Sequence, residues 1–273
     1  FFLCYSPSLL RKSEVDGIEQ LFFPDNNHLF SDRNLSFFRK TIMERKVQIV
    51  LHQHPKVPEF NRMCFSLNTS AKLVSVVHFD IAHEEKVLAR SFFVKMRNGR
   101  NIKRWVIDGF LYVKYLLFAK RKLYNELVRL YTDIYDHSDC VALLSSSYID
   151  SFINYVPYAT KRKLLSLNNP MKSINYLPTI PKEKIVLWVG RLGYDMKRLD
   201  YMLKIWMEIN KSHPDWKLKI LGSGDWNYWK RIIAQYHIKN ADVVGFCNPT
   251  EYYAKASILF MTSVTEGWGM VLV

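Results

Sequence analysis

The chain has 273 residues, of which 49% are hydrophobic and 23% charged, with a mean hydropathy of −0.12. That apolar share excludes an intrinsically disordered chain, and only 10 Gly and 10 Pro exclude collagen-like and low-complexity classes. The net charge of +14 points to anionic partners, and no run of 18 uncharged apolar residues is present to span a bilayer. In chain order, VQIVL at 47–51 and LVSVV at 73–77 are short β-branched runs that predict buried strands of a parallel sheet. Helical spacing appears at 35–44, 102–116 and 121–135, and CVALL at 140–144 is a third strand.

Asn168-Asn169-Pro170 and PTIPK at 178–182 then interrupt the pattern. A fresh α/β series follows: strand 185–189, helix 199–210, strand 216–221, helix 226–236, strand 242–246, short helix 251–255 and strand 258–261. Strands alternating with helices predict α/β layers, here two Rossmann-like doubly wound domains over 1–175 and 176–273. Ligands of such sheets bind beyond the carboxyl ends of the strands, which makes the cleft between the domains the default site. The four Cys lie far apart with no CxxC pair, which argues against a disulfide framework or zinc site and for a reducing, cytoplasmic setting. Residue 1 is Phe, and Val271-Leu272-Val273 has no capping or turn signal after it, so the chain reads as lacking both edges of its fold.

Three strand ends in the second half carry residues suited to chemistry. Gly190-Arg191-Leu192 follows the strand 185–189, with Lys197 six residues after Arg191, and two cations before a helix form an anion site. The same pair also reads as exposed side chains in a loop. Gly222-Ser223-Gly224-Asp225 lacks the third Gly of a dinucleotide fingerprint and reads equally as a tight turn. Thr265-Glu266-Gly267-Trp268-Gly269-Met270 places a carboxylate beside bare backbone whose N–H groups can face an anion. In the first half, His78 ends the strand 73–77 and reads either as a ligand contact or as a core or capping residue. His52 and His54 follow the strand 47–51 and could face an acceptor. A metal there has no nearby carboxylate to complete it.

In order and spacing, V-G-R-L at 189–192, Lys197, L-G-S-G-D at 221–225, V-G-F at 244–246, Tyr253, Ala256 and S-x-x-E-G-W-G at 263–269 resemble the donor-binding domain of glycosyltransferase family 4. More loosely, S-D-C-V-A-L-L-S at 138–145 and L-N-N-P at 167–170 are similar to late segments of the family's first domain. The resemblance implies the GT-B fold, with a Gly-rich loop after its first strand that this chain lacks. It implies transfer of a sugar from a nucleotide-diphosphate donor to an acceptor hydroxyl with retained configuration, and no metal or other cofactor. Arg191 and Lys197 would hold the departing diphosphate, with Gly190 and Gly222 giving close backbone approach. Backbone N–H groups of Gly267, Trp268, Gly269 and Met270 would assist, and Phe246-Cys247 would lie near the base. Glu266 would orient the sugar, and His78 would touch it from the other domain. The family's E-x7-E motif begins at Glu266, so its second Glu falls at position 274, one past Val273.

The partners implied are a nucleotide-sugar donor and a glycan or lipid-linked acceptor, as in surface polysaccharide or glycolipid synthesis. Residues 90–122 carry ten cations against the single acid Asp108, interleaved with aromatics such as Phe110 and Phe118. That pattern suits peripheral contact with an anionic membrane at its inner face, a solvated helix face or, less well, a nucleic acid. No zinc finger or RNP motif supports the last, so no nucleic-acid partner is expected. A noncatalytic sugar-nucleotide or glycan-binding module is the alternative to an enzyme.

Overall fold

The computed structural model describes residues 1–5, 14–15, 17–83, 85, 102–114, 118–170, 180–193 and 196–272. The chain divides into two compact units, Phe1–Asn168 and Asn169–Val273. The boundary expected between residues 175 and 176 lies outside the described residues.

The first unit begins with β1 (Phe2–Cys4), β2 (Glu14–Val15) and β3 (Ile18–Phe22), a small sheet of order β1-β3-β2. Helix α1 (Asp32–Glu44) follows, then β4 (Ile49–His52), α2 (Pro58–Phe65) and β5 (Lys72–Val77). Helices α3 (Ile102–Lys114) and α4 (Lys120–His137) lead to β6 (Cys140–Leu143), α5 (Ser147–Tyr155) and β7 (Leu164–Ser166). Strands β4-β5-β6-β7 form a parallel sheet in that order. Ser31 starts α1, its hydroxyl accepting from the Asn34 N–H at 3.3 Å. Val141, Ala142 and Leu143 are fully buried in this parallel sheet. Tyr131, Ile134 and Phe152, from α4 and α5, share one core cluster with Val141 and Leu143.

The second unit runs β8 (Glu183–Val189), α6 (Leu199–Ser212), β9 (Lys217–Leu221), α7 (Trp226–Gln235), β10 (Ala241–Gly245), α8 (Thr250–Lys255) and β11 (Ala256–Leu259). Its sheet has the order β10-β9-β8-β11 with every pairing parallel. The expected β-α-β-α-β-α-β series is present. Ile185, Val186, Leu187 and Trp188 are consecutive and buried, so β8 is covered on both faces. Trp188, Trp206 and Trp229 build the core on one face with Leu199 and Leu218. Removing one such ring costs roughly 3–5 kcal/mol. Parallel strands bring their carboxyl ends to one edge, so the segments after β8, β9, β10 and β11 share that edge.

Candidate functional site

Three of the four strand ends at this edge, those of β8, β9 and β10, are laced together by backbone. The Gly190 N–H donates to Leu221 O at 3.0 Å, Leu192 N–H to Ser223 O at 2.8 Å, and Gly222 N–H to Gly245 O at 2.8 Å. Gly222 has φ +149°, and a Cβ there would sit 1.7 Å from Gly190 O. Only glycine lets these two turns cross. Gly224, at φ +132°, would bring a Cβ to 2.9 Å from Leu192 O, and it forms a parallel bridge with Leu192. The G-x-G at 222–224 is therefore required by backbone packing, the tight-turn alternative of the sequence.

Lys197 and Glu266 meet here. The Lys197 ammonium donates to Glu266 Oε1 in an ion pair whose side chains are 24% and 22% exposed. The aliphatic stem of Lys197 lies over Gly190, where a Cβ would be 3.5 Å from its Cγ. Arg191 is exposed and pairs with no acid among the described residues. The edge thus presents one compensated cation, one uncompensated cation and a carboxylate. In the sequence Lys197 and Glu266 were expected to hold different parts of a ligand, whereas here they hold each other.

Lys197 is fixed by residues that the sequence analysis did not single out. Thr262, beyond the end of β11, donates its hydroxyl to Lys197 O at 2.8 Å and accepts the Trp188 indole N–H at 3.0 Å. The Val264 N–H donates to Met196 O at 2.9 Å. Arg198, the next residue, adopts left-handed backbone at φ +53° and makes a two-pronged ion pair with Asp200 at 2.9 and 3.0 Å. That pair raises the guanidinium pKa further and stabilises a turn that a non-glycine residue disfavours. No local signal announces these contacts, because Thr262 and Lys197 are 65 positions apart.

The segment after Glu266 holds a polar group in need of a partner. The Trp268 indole N–H is buried and unbonded among the described residues, a state that costs about 1–3 kcal/mol. Gly269 is buried at φ +69°, and Met270, 49% exposed, opens a three-residue 3-10 turn, Met270–Leu272. Tyr253, on α8, donates its hydroxyl to Val271 O at 3.1 Å. Beyond β10, Phe246 is 84% exposed and Cys247 is also open to solvent.

In the first unit, His78 is exposed at the carboxyl end of β5 and bonds Gln53 at the carboxyl end of β4. His52 is a different kind of histidine from the one expected at an acceptor. It is 3% exposed, and its Nε2 lies 2.7 Å from Asn61 Oδ1. Burial pulls its pKa down, so it stays a neutral core group that holds α2 against β4. His54 is exposed. No group of three His, Cys, Asp or Glu able to hold a metal occurs among the described residues.

Residues 173–273 match the family described as Glycosyl transferases group 1. Over 117 residues the chain is 34% identical to an uncharacterized glycosyltransferase of Haemophilus influenzae, a match covering 39% of this chain and 33% of that protein. Over 95 residues it is 37% identical to the amylovoran biosynthesis glycosyltransferase AmsD of Erwinia amylovora, covering 34% and 26%. The chain thus spans about a third or less of the length of these curated relatives. Among solved structures it is similar to WaaG, a glycosyltransferase involved in lipopolysaccharide biosynthesis, at 13% identity and TM-score 0.57, covering 96% of this chain and 66% of that one. It is also similar to the pneumococcal O-GlcNAc transferase GtfA in complex with UDP and GlcNAc, at 17% identity and TM-score 0.57, covering 87% and 42%. The α/β fold with parallel sheets is that of GT-B glycosyltransferase structures.

Proposed function

We propose that the protein is a retaining glycosyltransferase that moves a sugar from a nucleotide-diphosphate donor to a glycan or lipid-linked acceptor in surface polysaccharide synthesis. The observation that carries this reading is the edge of the second sheet, where Lys197 pairs with Glu266 and lies over Gly190, and the exposed Arg191 follows the same strand end. As the glycosidic bond breaks, negative charge grows on the donor diphosphate. Arg191 offers it a planar fork and Lys197 a point charge, so no metal is needed to balance two negative charges. Glu266 compensates Lys197. A bound diphosphate would draw the ammonium away and release the carboxylate to accept hydrogen bonds from sugar hydroxyls. The unbonded Trp268 N–H supports a rearrangement of 266–270 on binding that gives it a partner.

Gly190, Gly222, Gly267 and Gly269 allow close backbone approach, and Phe246-Cys247 flank the base. His78 is assigned to the transferred sugar by the family resemblance. The donor phosphate, rather than a protein base, accepts the acceptor's proton on the same face. The amylovoran and lipopolysaccharide roles of the similar proteins favour a surface glycan as acceptor.

A membrane-side location fits α3 and its surroundings. Ile107, Phe110, Val113 and Phe118 are all more than half exposed, and Lys114, Lys120, Arg121 and Lys122 are exposed beside them. An apolar helix face with flanking cations suits the inner, anionic leaflet, where a lipid-linked acceptor would be met. Residues 86–101 and 115–117 of this stretch lie outside the described residues, and no described helix is long and apolar enough to cross a membrane.

The test is Arg191→Ala and Lys197→Ala in the complete protein, assayed with uridine and guanosine diphosphate sugars. Each should lower kcat/KM by roughly 10²–10³-fold, the scale of losing one preorganised donor. A loss under about tenfold would remove the phosphate role. A product of inverted anomeric configuration, read by NMR, would remove the retaining assignment. Donor binding without transfer or hydrolysis would favour a noncatalytic module.

A further inference from the structure

Among the described residues five besides the glycines have positive φ: Lys46, Asn68, Arg198, His237 and Asn240. Four have a local reason. Lys46 and His237 each follow the C-cap of a helix, Arg45 of α1 and Tyr236 of α7, where chains commonly turn left-handed. Asn68 and Asn240 are asparagines, whose short amide tolerates that region. Arg198 has no such reason. It is the N-cap of α6, where extended backbone and a Ser, Thr, Asp or Asn side chain are usual, and its side chain makes no capping bond. Backbone strain of this kind persists only where the surrounding contacts over-determine it.

Those contacts converge on one turn. The Arg198 guanidinium forks onto Asp200 at 2.9 and 3.0 Å, with the two side chains 13% and 19% exposed. The Arg198 carbonyl accepts the Tyr201 and Met202 N–H groups at 3.0 and 3.2 Å. The Thr262 hydroxyl lies 2.8 Å from Lys197 O and 3.1 Å from Arg198 O, so one group from beyond β11 grips two successive carbonyls. What the turn fixes is the residue just before it. Lys197 runs its stem over Gly190 and brings its ammonium to Glu266. A change of sign in φ at 198 would re-aim the peptide that carries Lys197 relative to α6, and the stem would no longer lie along Gly190.

We propose that Arg198 is a positioning residue for the donor phosphates, acting through Lys197: its fork onto Asp200 holds the left-handed turn that sets the ammonium at the sheet edge. The inference rests on the phosphate role proposed for Lys197. The guanidinium is committed to Asp200 and does not itself meet the donor. What matters at position 198 is therefore the sign of φ and not the charge. Glycine, which takes positive φ freely, should serve in its place. Lysine, which keeps the charge but loses the planar fork, should not.

The experiment compares Arg198→Ala, Arg198→Lys and Arg198→Gly in the complete protein. It reads turnover of uridine and guanosine diphosphate sugars, and acetylation of Lys197 mapped by mass spectrometry against the exposed Lys211. Acetylation reads the position of Lys197 whichever sugar is the donor. The Ala and Lys variants should lower kcat/KM at least about tenfold, as a small misplacement of a binding group does, and speed Lys197 acetylation at least about fivefold. The Gly variant should stay within about threefold of the wild type in both readouts. Adding Arg198→Ala to Lys197→Ala should change kcat/KM by less than about threefold, because an effect that runs through Lys197 vanishes with it. If Arg198→Ala does not fold, Asp200→Asn, which keeps the shape and removes the carboxylate, carries the same comparison. A Gly variant as impaired as the Ala variant, unchanged Lys197 acetylation in the Ala variant, or fully additive losses in the double variant would overturn the proposal. Loss of turnover in Lys197→Ala without loss in Arg198→Ala would overturn this inference alone. Wild-type turnover in Lys197→Ala would remove the phosphate role and this inference with it.

Discussion

Single atoms decide which residues at the site are replaceable. A Cβ on Gly222 would meet Gly190 O at 1.7 Å with φ at +149°, so Gly222→Ala combines a backbone clash with strain. The expected loss is about 3 kcal/mol or more by denaturant unfolding. Gly245 is the control: its φ is +97° but nothing lies within 4 Å of its Cβ position, so Gly245→Ala should cost only the strain, about 1–3 kcal/mol. His52 makes a pH prediction. Burial holds its folded pKa below the unfolded value of about 6.5, so the unfolded state binds the extra proton first. Its contribution to stability is complete above about pH 6.5 and fades as pH falls below that value toward the folded pKa. The urea midpoint of the first unit should fall between pH 7.5 and pH 5. His52→Gln, which keeps a donor toward Asn61, should flatten that dependence.

Among the elements, β8 and the segment after β11 act as one device. Trp188 on β8 donates to Thr262, and Thr262 donates to the carbonyl of Lys197. The staple ties the sheet to the loop that carries the cation. Thr262→Val keeps the shape but removes both bonds and leaves a buried indole N–H without a partner. It should cost about 1–3 kcal/mol of stability. Turnover should also fall, because Lys197 would lose its fixed carbonyl anchor while its charge remains. Thermal unfolding together with kcat and KM for the donor checks this. Unchanged kcat in a folded variant would separate the staple from the function. Ile107, Phe110 and Val113 of α3 show the opposite arrangement, apolar side chains left open to solvent.

At the scale of the whole molecule, each unit has its own parallel sheet and core, and each is stabilised by large rings covered on both sides. The proposed membrane contact belongs to this scale, because it depends on the summed charge of +14 as well as on α3. The complete protein should float with vesicles containing 30% phosphatidylglycerol and remain unbound with pure phosphatidylcholine. Phe110→Glu should reduce the bound fraction several-fold, and added salt should weaken binding by screening the lysines and arginines. Equal binding to neutral vesicles would leave the charge without a role.

Much of this architecture was legible from residue order. Continuous apolar runs such as IVLWV at 185–189 predict strands covered on both faces, and alternation with helices predicts parallel sheets, because those patterns follow from local periodicity. Elements with mixed composition escaped that reading. β1, β3 and β7 are too short or too polar to form a run, and α2, PEFNRMCF, has little beyond Pro58 to mark its start. The site was legible as residue types at strand ends, since parallel strands necessarily bring those ends together. The sequence could not show that Lys197 pairs with Glu266, that Thr262 anchors Lys197, or that His52 is buried against Asn61. Each of these joins positions far apart in the chain, and such contacts are set by how sheets and helices pack rather than by any local preference.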